Sequence, residues 1–303
     1  MVSSPTSRHD RGVEDLLTVA AVARRLGVAP ATLRTWDRRY GLGPTDHQEG
    51  HHRRYRPQDV ARLMVMRRLI ASGVSPSDAA EQALEHKGSA TFRATEMKFV
   101  DRSELVYTIY RCAIALDNDF VAQALSKDIK KYGVIRSWHE VIVPVLTMVG
   151  QDWATTGKGI EVEHFLTEIL KTVMREKASK ISKVVNPNPV VLAAVGEELH
   201  CLALHALAAA LAEKGIESYF LGSRTPHEAI CSVVTRTAPP AVFLWAQLPK
   251  NAKAKYFNEL PAVRPAPRII LGGPGWDPTE CSKVAVVHDL SGACLEIERA
   301  VGL

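Results

Sequence analysis

The fold of the C-terminal part is decided by the stretch Val190-Val191-Leu192-Ala193-Ala194-Val195-Gly196-Glu197-Glu198-Leu199-His200. A run of apolar residues ends in a glycine and two carboxylates, and His200 follows just before a helical pattern over Leu202–Lys214. This order predicts a buried strand, a loop and a helix. Since ligands bind at the carboxyl ends of the strands in an open α/β sheet, the imidazole stands where a ligand would sit.

The same alternation continues through residues 186–303. Short runs rich in β-branched residues alternate with helical patterns, which predicts an α/β doubly wound parallel sheet. This organisation resembles the flavodoxin-like fold. The predicted strands are Val190–Val195, Glu217–Leu221, Ala241–Trp245, Arg268–Leu271 and Val284–His288.

Residues 101–185 have a different pattern. Apolar residues recur at steps of three and four, and the intervening segments are short, which predicts a four-helix bundle. Residues 88–100 before them are weakly patterned and are expected to be a linker.

Composition excludes several classes of protein. The chain has 303 residues, 46% of them hydrophobic and 23% charged, as in a globular protein of several domains. Its longest apolar runs fall short of the roughly 18 residues of a membrane span, and residues 1–14 resemble a disordered tail, not a signal peptide. Five scattered cysteines without a CxxC motif indicate reduced thiols in a cytoplasm.

Positive charge is concentrated near the N-terminus. Residues 32–68 contain nine arginines and four acids, a net +5 that equals the formal charge of the whole chain. A local basic patch favours a polyanionic partner.

The pattern of residues 15–87 predicts the structure that carries this basic patch. Leu17–Gly27 shows a capping threonine, helical spacing and a closing glycine, and Pro30 opens a second short helix with Arg34 and Arg38 on one face. Two short helices joined by a tight turn predict a helix-turn-helix. The polar excursion over residues 46–56 predicts a wing beside it.

The motifs Thr32-Leu33-Arg34-x-Trp36-x-Arg38-Arg39-Tyr40-Gly41, Gly50-x-His52-Arg53-Arg54-Tyr55 and Asp59-Val60 together resemble the MerR family of winged helix-turn-helix regulators. The resemblance implies that Arg34, Arg38 and Arg39 belong to a helix in the major groove of an operator, and that His52, Arg53, Arg54 and Tyr55 contact the DNA backbone. It also implies a homo-oligomer, a dimer or tetramer, with RNA polymerase or a regulatory protein as a further candidate partner. His51 and the acidic run over residues 46–49 depart from the family pattern.

In the middle region, Trp153 is followed after nine residues by Glu163-His164. This spacing resembles the W-x9-EH signature of the helical cap in cobalamin-dependent photoreceptor regulators of the CarH/LitR type. The resemblance implies that Trp153, Glu163 and His164 lie over the upper face of adenosylcobalamin. Ala154 stands where the photoreceptors carry a histidine that can ligate cobalt after photolysis. At this position the chain departs from the photoreceptor pattern.

The C-terminal part resembles the cobalamin-binding domain with the motifs D/E-x-H-x-x-G, S-x-L and GG. The matching residues are Glu198, His200, Trp245, Gly272 and Gly273, and the resemblance implies that His200 is a cobalt ligand supported by Glu198. Two positions depart from the pattern, since Ala203 replaces a glycine and Trp245 replaces the serine beside the nucleotide tail of the cofactor. His200 therefore has two interpretations, as a cobalt ligand or as a remnant in a domain that no longer binds cobalamin.

The sequence thus predicts a transcriptional regulator with a two-part sensory module that controls oligomerisation, and no enzyme. A cobalamin enzyme module is disfavoured because the chain lacks a substrate barrel and has a DNA-binding head. The alternative is a cobalamin-independent regulator of the same family, whose C-terminal part serves oligomerisation, protein interaction or another ligand.

Overall fold

The computed structural model describes residues 16–45, 53–71, 73–86, 101–279, 281 and 284–303. The chain divides into two compact units, residues 1–93 and 94–303, and the division falls inside the predicted linker. In the described ranges, no helix combines the length and the apolar character needed to cross a membrane.

The first unit is a small helical domain with one pair of short strands. Strand β1 (Leu17–Thr18) pairs antiparallel with β2 (Arg54–Tyr55). The helices are α1 (Val19–Leu26), α2 (Pro30–Tyr40), α3 (Pro57–Ala71) and α4 (Pro76–Glu85).

Helices α1 and α2 begin and end where the sequence predicts. The Thr18 hydroxyl accepts a hydrogen bond from the Ala21 amide at the start of α1, and Pro30 opens α2. Gly27 and Gly41 end the two helices in the left-handed conformation that glycine adopts without a steric penalty. The two helices and their turn form the helix-turn-helix region of the chain.

The second unit begins with a helical region. Its elements are α5 (Arg102–Ile114), α6 (Asn118–Tyr132), α7 (Val134–Ser137), a π-helical turn (Trp138–Ile142), α8 (Val143–Thr156) and α9 (Ile160–Ala178). Helix α8 continues to Thr156, so Trp153 lies on the last turn of this helix.

A five-stranded parallel sheet follows, made of β3 (Val190–Val195), β4 (Ser218–Thr225), β5 (Ala241–Trp245), β6 (Arg268–Gly272) and β7 (Ala285–Val287). The strand order is β4-β3-β5-β6-β7, which is the 2-1-3-4-5 order of doubly wound sheets with a single reversal. The helices of this part are α10 (Leu202–Glu213), α11 (His227–Thr237), α12 (Lys255–Asn258) and α13 (Leu290–Val301). Every residue of β3 is buried, as its apolar run predicts for a central parallel strand.

The two faces of the sheet pack against different helices. Val242 and Leu244 of β5 belong to the apolar core that includes Ile230 and Val234 of α11. Because successive strand residues point to opposite faces, Phe243 and Trp245 face the other side, where α10 and α13 pack.

Glu213, at the end of α10, connects the helical region to the α/β part. Its carboxylate accepts a hydrogen bond from the Val134 amide (2.8 Å) and pairs with Lys177 of α9 (3.0 Å). Helix α9 also packs along α10. These contacts hold both parts of the second unit together.

Candidate functional site

The candidate site lies at the carboxyl ends of β3 and β5. The two strands are neighbours, with Ala194 in register with Trp245, and the strand order reverses between them. At such a reversal the loops after the two strands run in opposite directions and leave a crevice for a ligand. Here those loops carry Glu198 and His200 on one side and residues 246–251 on the other.

The Glu198 carboxylate organises this edge. Its Oε2 accepts hydrogen bonds from the amides of Gln247 and Leu248 and from Nδ2 of Asn251, each at 3.0 Å. Its Oε1 accepts from the His200 amide (2.9 Å) and contacts the His200 Nδ1 (2.6 Å). One fully buried side chain therefore holds together the loops that follow two strands.

The electrostatics of Glu198 follow from these contacts. Burial by itself raises the pKa of a carboxyl group, because it disfavours the charged form. Here the hydrogen bonds from Asn251, His200 and Leu248 outweigh burial and lower the pKa of Glu198 to about 2. Glu198 is therefore an anion at neutral pH, with its lone pairs directed at five donor positions.

His200 is presented to solvent by this carboxylate. Its side chain is 60% exposed although Glu198 is buried. Because an anionic carboxylate can only accept, Nδ1 carries the proton, and Nε2 of the neutral ring keeps a free lone pair. The adjoining Leu199 is 64% exposed, so the imidazole stands beside an apolar surface. A carboxylate that accepts from one ring nitrogen in this way is typical of histidine ligands to metals.

In the described ranges, no three or more histidine, cysteine, aspartate or glutamate side chains gather as a metal site. A lone imidazole suits a metal whose other ligands come from elsewhere, as in a macrocycle.

A small cavity lies beside this edge, between the sheet and helices α10 and α13. Its volume is about 110 Å³. The residues around it come from both parts of the second unit and include Trp138, Ala203, Phe243, Trp245, Gly272 and Gly273. The indole Nε1 of Trp245 is buried there without a hydrogen-bond partner, whereas the Trp276 indole donates to the Leu244 carbonyl (3.2 Å).

Gly272 and Gly273 are explained by packing. A Cβ on Gly272 would lie 2.3 Å from Cζ of Phe243. A Cβ on Gly273, whose φ is +100°, would lie 2.3 Å from the Ala246 carbonyl oxygen. The structure shows that neighbouring side-chain and backbone atoms already require them.

Trp153, Glu163 and His164 lie where α8 joins α9. Trp153 is on the last turn of α8 and the other two are on the first turn of α9, and all three side chains are exposed. Gly157 and Gly159, both with positive φ, form the turn between them. The neighbouring Asp152 accepts a short hydrogen bond from Tyr110 of α5, which raises the pKa of Tyr110 to about 12.

The basic residues of the first unit form an exposed face on α2. Arg34, Arg38 and Arg39 are exposed, and so is Arg54 of β2. Arg53 is half-buried and its Nε donates to Asp37 of α2 (3.1 Å). His52 lies outside the described residues, as do His47, His51 and most of the predicted wing.

The structure corrects the interpretation of Tyr55. Its side chain is fully buried in the core of the first unit, and its hydroxyl is buried without a hydrogen-bond partner. Burial raises the pKa of this phenol. Tyr55 cannot contact a DNA backbone from this position, because alternation in β2 directs it to the core while Arg54 faces solvent.

Sequence reasoning missed the groups that hold Glu198 from the β5 side. Gln247, Leu248 and Asn251 lie about fifty residues further along the chain, and two of them contribute only backbone amides. Asn251 is buried, yet nothing in the local sequence pattern distinguishes it from a surface asparagine. It also missed Trp138, which lines the cavity from the helical region.

Two family models match the chain. Residues 17–85 match the MerR HTH family regulatory protein model, and residues 106–176 match the B12 binding domain model. The chain therefore combines a MerR-type helix-turn-helix domain with a B12-binding domain.

The chain is similar to two transcriptional repressors and to a solved corrinoid protein. The HTH-type transcriptional repressor CarH of Myxococcus xanthus is 26% identical over 76% of this chain and 79% of its own length. The HTH-type transcriptional repressor CarA of the same organism is 26% identical over 86% of this chain and 87% of its own. Among solved structures, the monomethylamine corrinoid protein of Methanosarcina barkeri superposes with a TM-score of 0.46, at 9% identity, over 66% of this chain and 99% of that chain.

Proposed function

We propose that this chain, with its MerR-type head and its B12-binding domain, is a DNA-binding transcriptional regulator whose second unit senses a corrinoid. The observation that carries the proposal is the coexistence of the two domain types in one chain. CarH and CarA, to which this chain is similar over most of their length, are HTH-type transcriptional repressors, which agrees with the proposal.

The head supplies DNA binding through α2 and the segment before α3. Arg34, Arg38 and Arg39 form an exposed basic face on a short helix, and an arginine can bind guanine through two hydrogen bonds. We assign these three to the major groove and Arg53, Arg54 and His52 to backbone phosphates of a winged helix-turn-helix. Tyr55 is left out of this set because it is buried.

The second unit supplies the corrinoid site. His200, held by Glu198 through Nδ1, would ligate cobalt through Nε2. A bound corrin would bring its own nitrogen ligands and a visible spectrum, so one protein imidazole would suffice. We assign Trp153, Glu163 and His164, at the α8–α9 turn of a four-helix cap, to the upper face, where adenosylcobalamin would carry its adenosyl group.

Regulation requires that the ligand binds two states of the protein with different affinity. MerR-type heads act on two half-sites, so the active form is a dimer or tetramer. We propose that corrinoid binding between the helical region and the α/β part shifts this assembly.

Two measurements on the full chain test the proposal. In gel shifts with the DNA upstream of its own gene, Arg38→Ala should weaken binding by about tenfold or more, as expected for one lost bidentate base contact. Arg136→Ala is the matched control, since Arg136 is an exposed arginine of the second unit that pairs with Glu140. Equal loss in both variants, or in neither, contradicts the assignment of the head.

For the second unit, the protein is mixed with a corrinoid, freed of excess by gel filtration, and its visible spectrum recorded. We expect a coloured protein whose spectrum changes in His200→Ala. A second function is favoured by Trp245, which fills space beside the site. In that case the chain is a regulator whose second unit serves assembly alone, and it stays colourless while it binds DNA normally.

A further inference from the structure

The cavity beside β5 is too small for the part of cobalamin that a protein histidine displaces. In free cobalamin the lower position on cobalt is held by a benzimidazole at the end of the nucleotide tail of the corrin. If His200 takes that position, the benzimidazole and its ribose phosphate need another place. A cavity adjoins the sheet edge that carries His200, between β5, β6, α10 and α13.

That cavity measures about 110 Å³. An engineered apolar cavity of about 150 Å³ holds one benzene molecule, and pockets for drug-sized ligands begin near 300 Å³. A fused two-ring base with its ribose therefore exceeds the space by a wide margin.

The space is taken by aromatic side chains of this chain. Phe243 and Trp245 project from alternate positions of β5 to the same face, and Trp138 approaches from the helical region. Their positions are tightly set, because Gly272 must lack a Cβ for Phe243 to fit and Gly273 lies against both Trp245 and the Ala246 carbonyl. Ala203 adds a methyl group to the wall on α10.

Trp245 has a hydrogen-bond donor that suits a ligand in the cavity, although the size of its side chain does not. Its Nε1–H is buried and has no hydrogen-bond partner, so it could donate to a ring nitrogen placed in the cavity. A donor is therefore present, and volume is what is missing.

We infer that the site selects corrinoids without a nucleotide tail, such as cobinamides, over complete cobalamins, and that the bulk of Trp245 is the specificity determinant. This inference rests on the proposed function, since it requires that a corrinoid binds at His200. The donor group of Trp245 has no part in the selection.

The test compares aquocobinamide with aquocobalamin on the full chain, with dissociation constants measured by difference spectroscopy. Wild type should bind cobinamide at least roughly tenfold more tightly, the lower end of what forcing an extra group into a packed site costs. Trp245→Ser keeps a donor and adds room, so its preference should disappear or reverse. Trp245→Phe removes the donor and keeps most of the volume, so the preference should remain.

Each outcome decides something. If wild type binds cobalamin as tightly as cobinamide, with the benzimidazole displaced from cobalt, the inference is wrong while the proposed function stands. If Trp245→Phe loses the preference as fully as Trp245→Ser, hydrogen bonding and not volume sets the specificity, and the inference is again wrong. If neither corrinoid binds to wild type or to Trp245→Ser, the proposed corrinoid site itself is refuted. If Trp245→Ser does not fold, Trp245→Ala makes the same comparison with another small side chain.

Discussion

The substitution Glu198→Gln should damage both the stability of the second unit and the chemistry of His200. The change keeps the shape of the side chain but replaces one acceptor oxygen with an NH₂ donor. In the wild type, Oε2 accepts from three donors and Oε1 from two, all contributed by the loops after β3 and β5. The single amide oxygen of a glutamine can accept hydrogen bonds from only one of these two sets of donors.

The better arrangement places the amide oxygen toward Gln247, Leu248 and Asn251. The NH₂ group then faces the His200 amide, which is left without an acceptor at a cost of about 1–3 kcal/mol. The remaining hydrogen bonds lose their charge assistance, which makes each of them weaker. We therefore expect a loss of about 2–4 kcal/mol in the free energy of unfolding.

The same NH₂ group would donate to Nδ1 of His200. The ring proton then moves to Nε2, which can no longer ligate a metal. Cobinamide affinity should fall together with stability.

Urea denaturation of the full chain, followed by tryptophan fluorescence, measures the first effect. Glu197→Gln is the matched control, because Glu197 is the preceding residue, is 73% exposed and pairs only with the exposed Arg224 among the described ion pairs. This control should change the free energy of unfolding by less than about 0.5 kcal/mol. If Glu198→Gln is as harmless as its control, the carboxylate does not organise this edge and the argument is refuted.

Two further predictions concern other buried groups. His205 is buried against Phe220 of β4 and close to Arg175 and Lys171, and burial, followed by these charges, lowers the pKa of His205 from 6.5 to about 4. Between pH 4 and pH 6.5 the unfolded chain therefore binds more protons than the folded chain. The contribution of the buried, neutral His205 to the free energy of unfolding is complete above pH 6.5 and is lost as the pH falls toward 4. From pH 7 to pH 5 the wild type should lose about 1–2 kcal/mol more than His205→Leu in urea denaturation, and equal losses would contradict the burial argument. In the head, the Asp59 carboxylate accepts from the amides of Thr45 and Arg56, on either side of residues 46–52. Asp59→Ala should therefore speed hydrogen exchange of those two amides at least about tenfold and Asp59→Asn much less, while unchanged exchange in the alanine variant would show that Asp59 does not hold them.

Much of the fold could be predicted because short segments of the sequence determine where strands and helices begin and end. The bounds of β3 and β5 are confirmed, since each is an uninterrupted apolar run that ends at a loop. The start of α1 follows from Thr18 and its end from Gly27. The pairing of Glu198 with His200 was predicted from the resemblance to the D/E-x-H motif, in which the two residues are only two positions apart.

The parts that the sequence did not predict depend on contacts between distant segments. Tyr55 was assigned to DNA through its place in the family motif, yet the pairing of β2 with β1 turns it into the core. The donors to Glu198 from residues 247–251 depend on how two loops meet at the strand reversal. The close fit of Phe243 to Gly272 depends on the register between β5 and β6.

Electron paramagnetic resonance of the full chain with cob(II)inamide tests whether His200 is the protein ligand of cobalt. Cobinamide has no base of its own, so any axial nitrogen coupled to the Co(II) electron must come from the protein. We expect that one ¹⁴N nucleus splits the lines into triplets in the wild type, and that the splitting is absent in His200→Ala. A wild-type spectrum without nitrogen splitting, or one that keeps it in His200→Ala, would contradict the assignment of His200 as the ligand of cobalt.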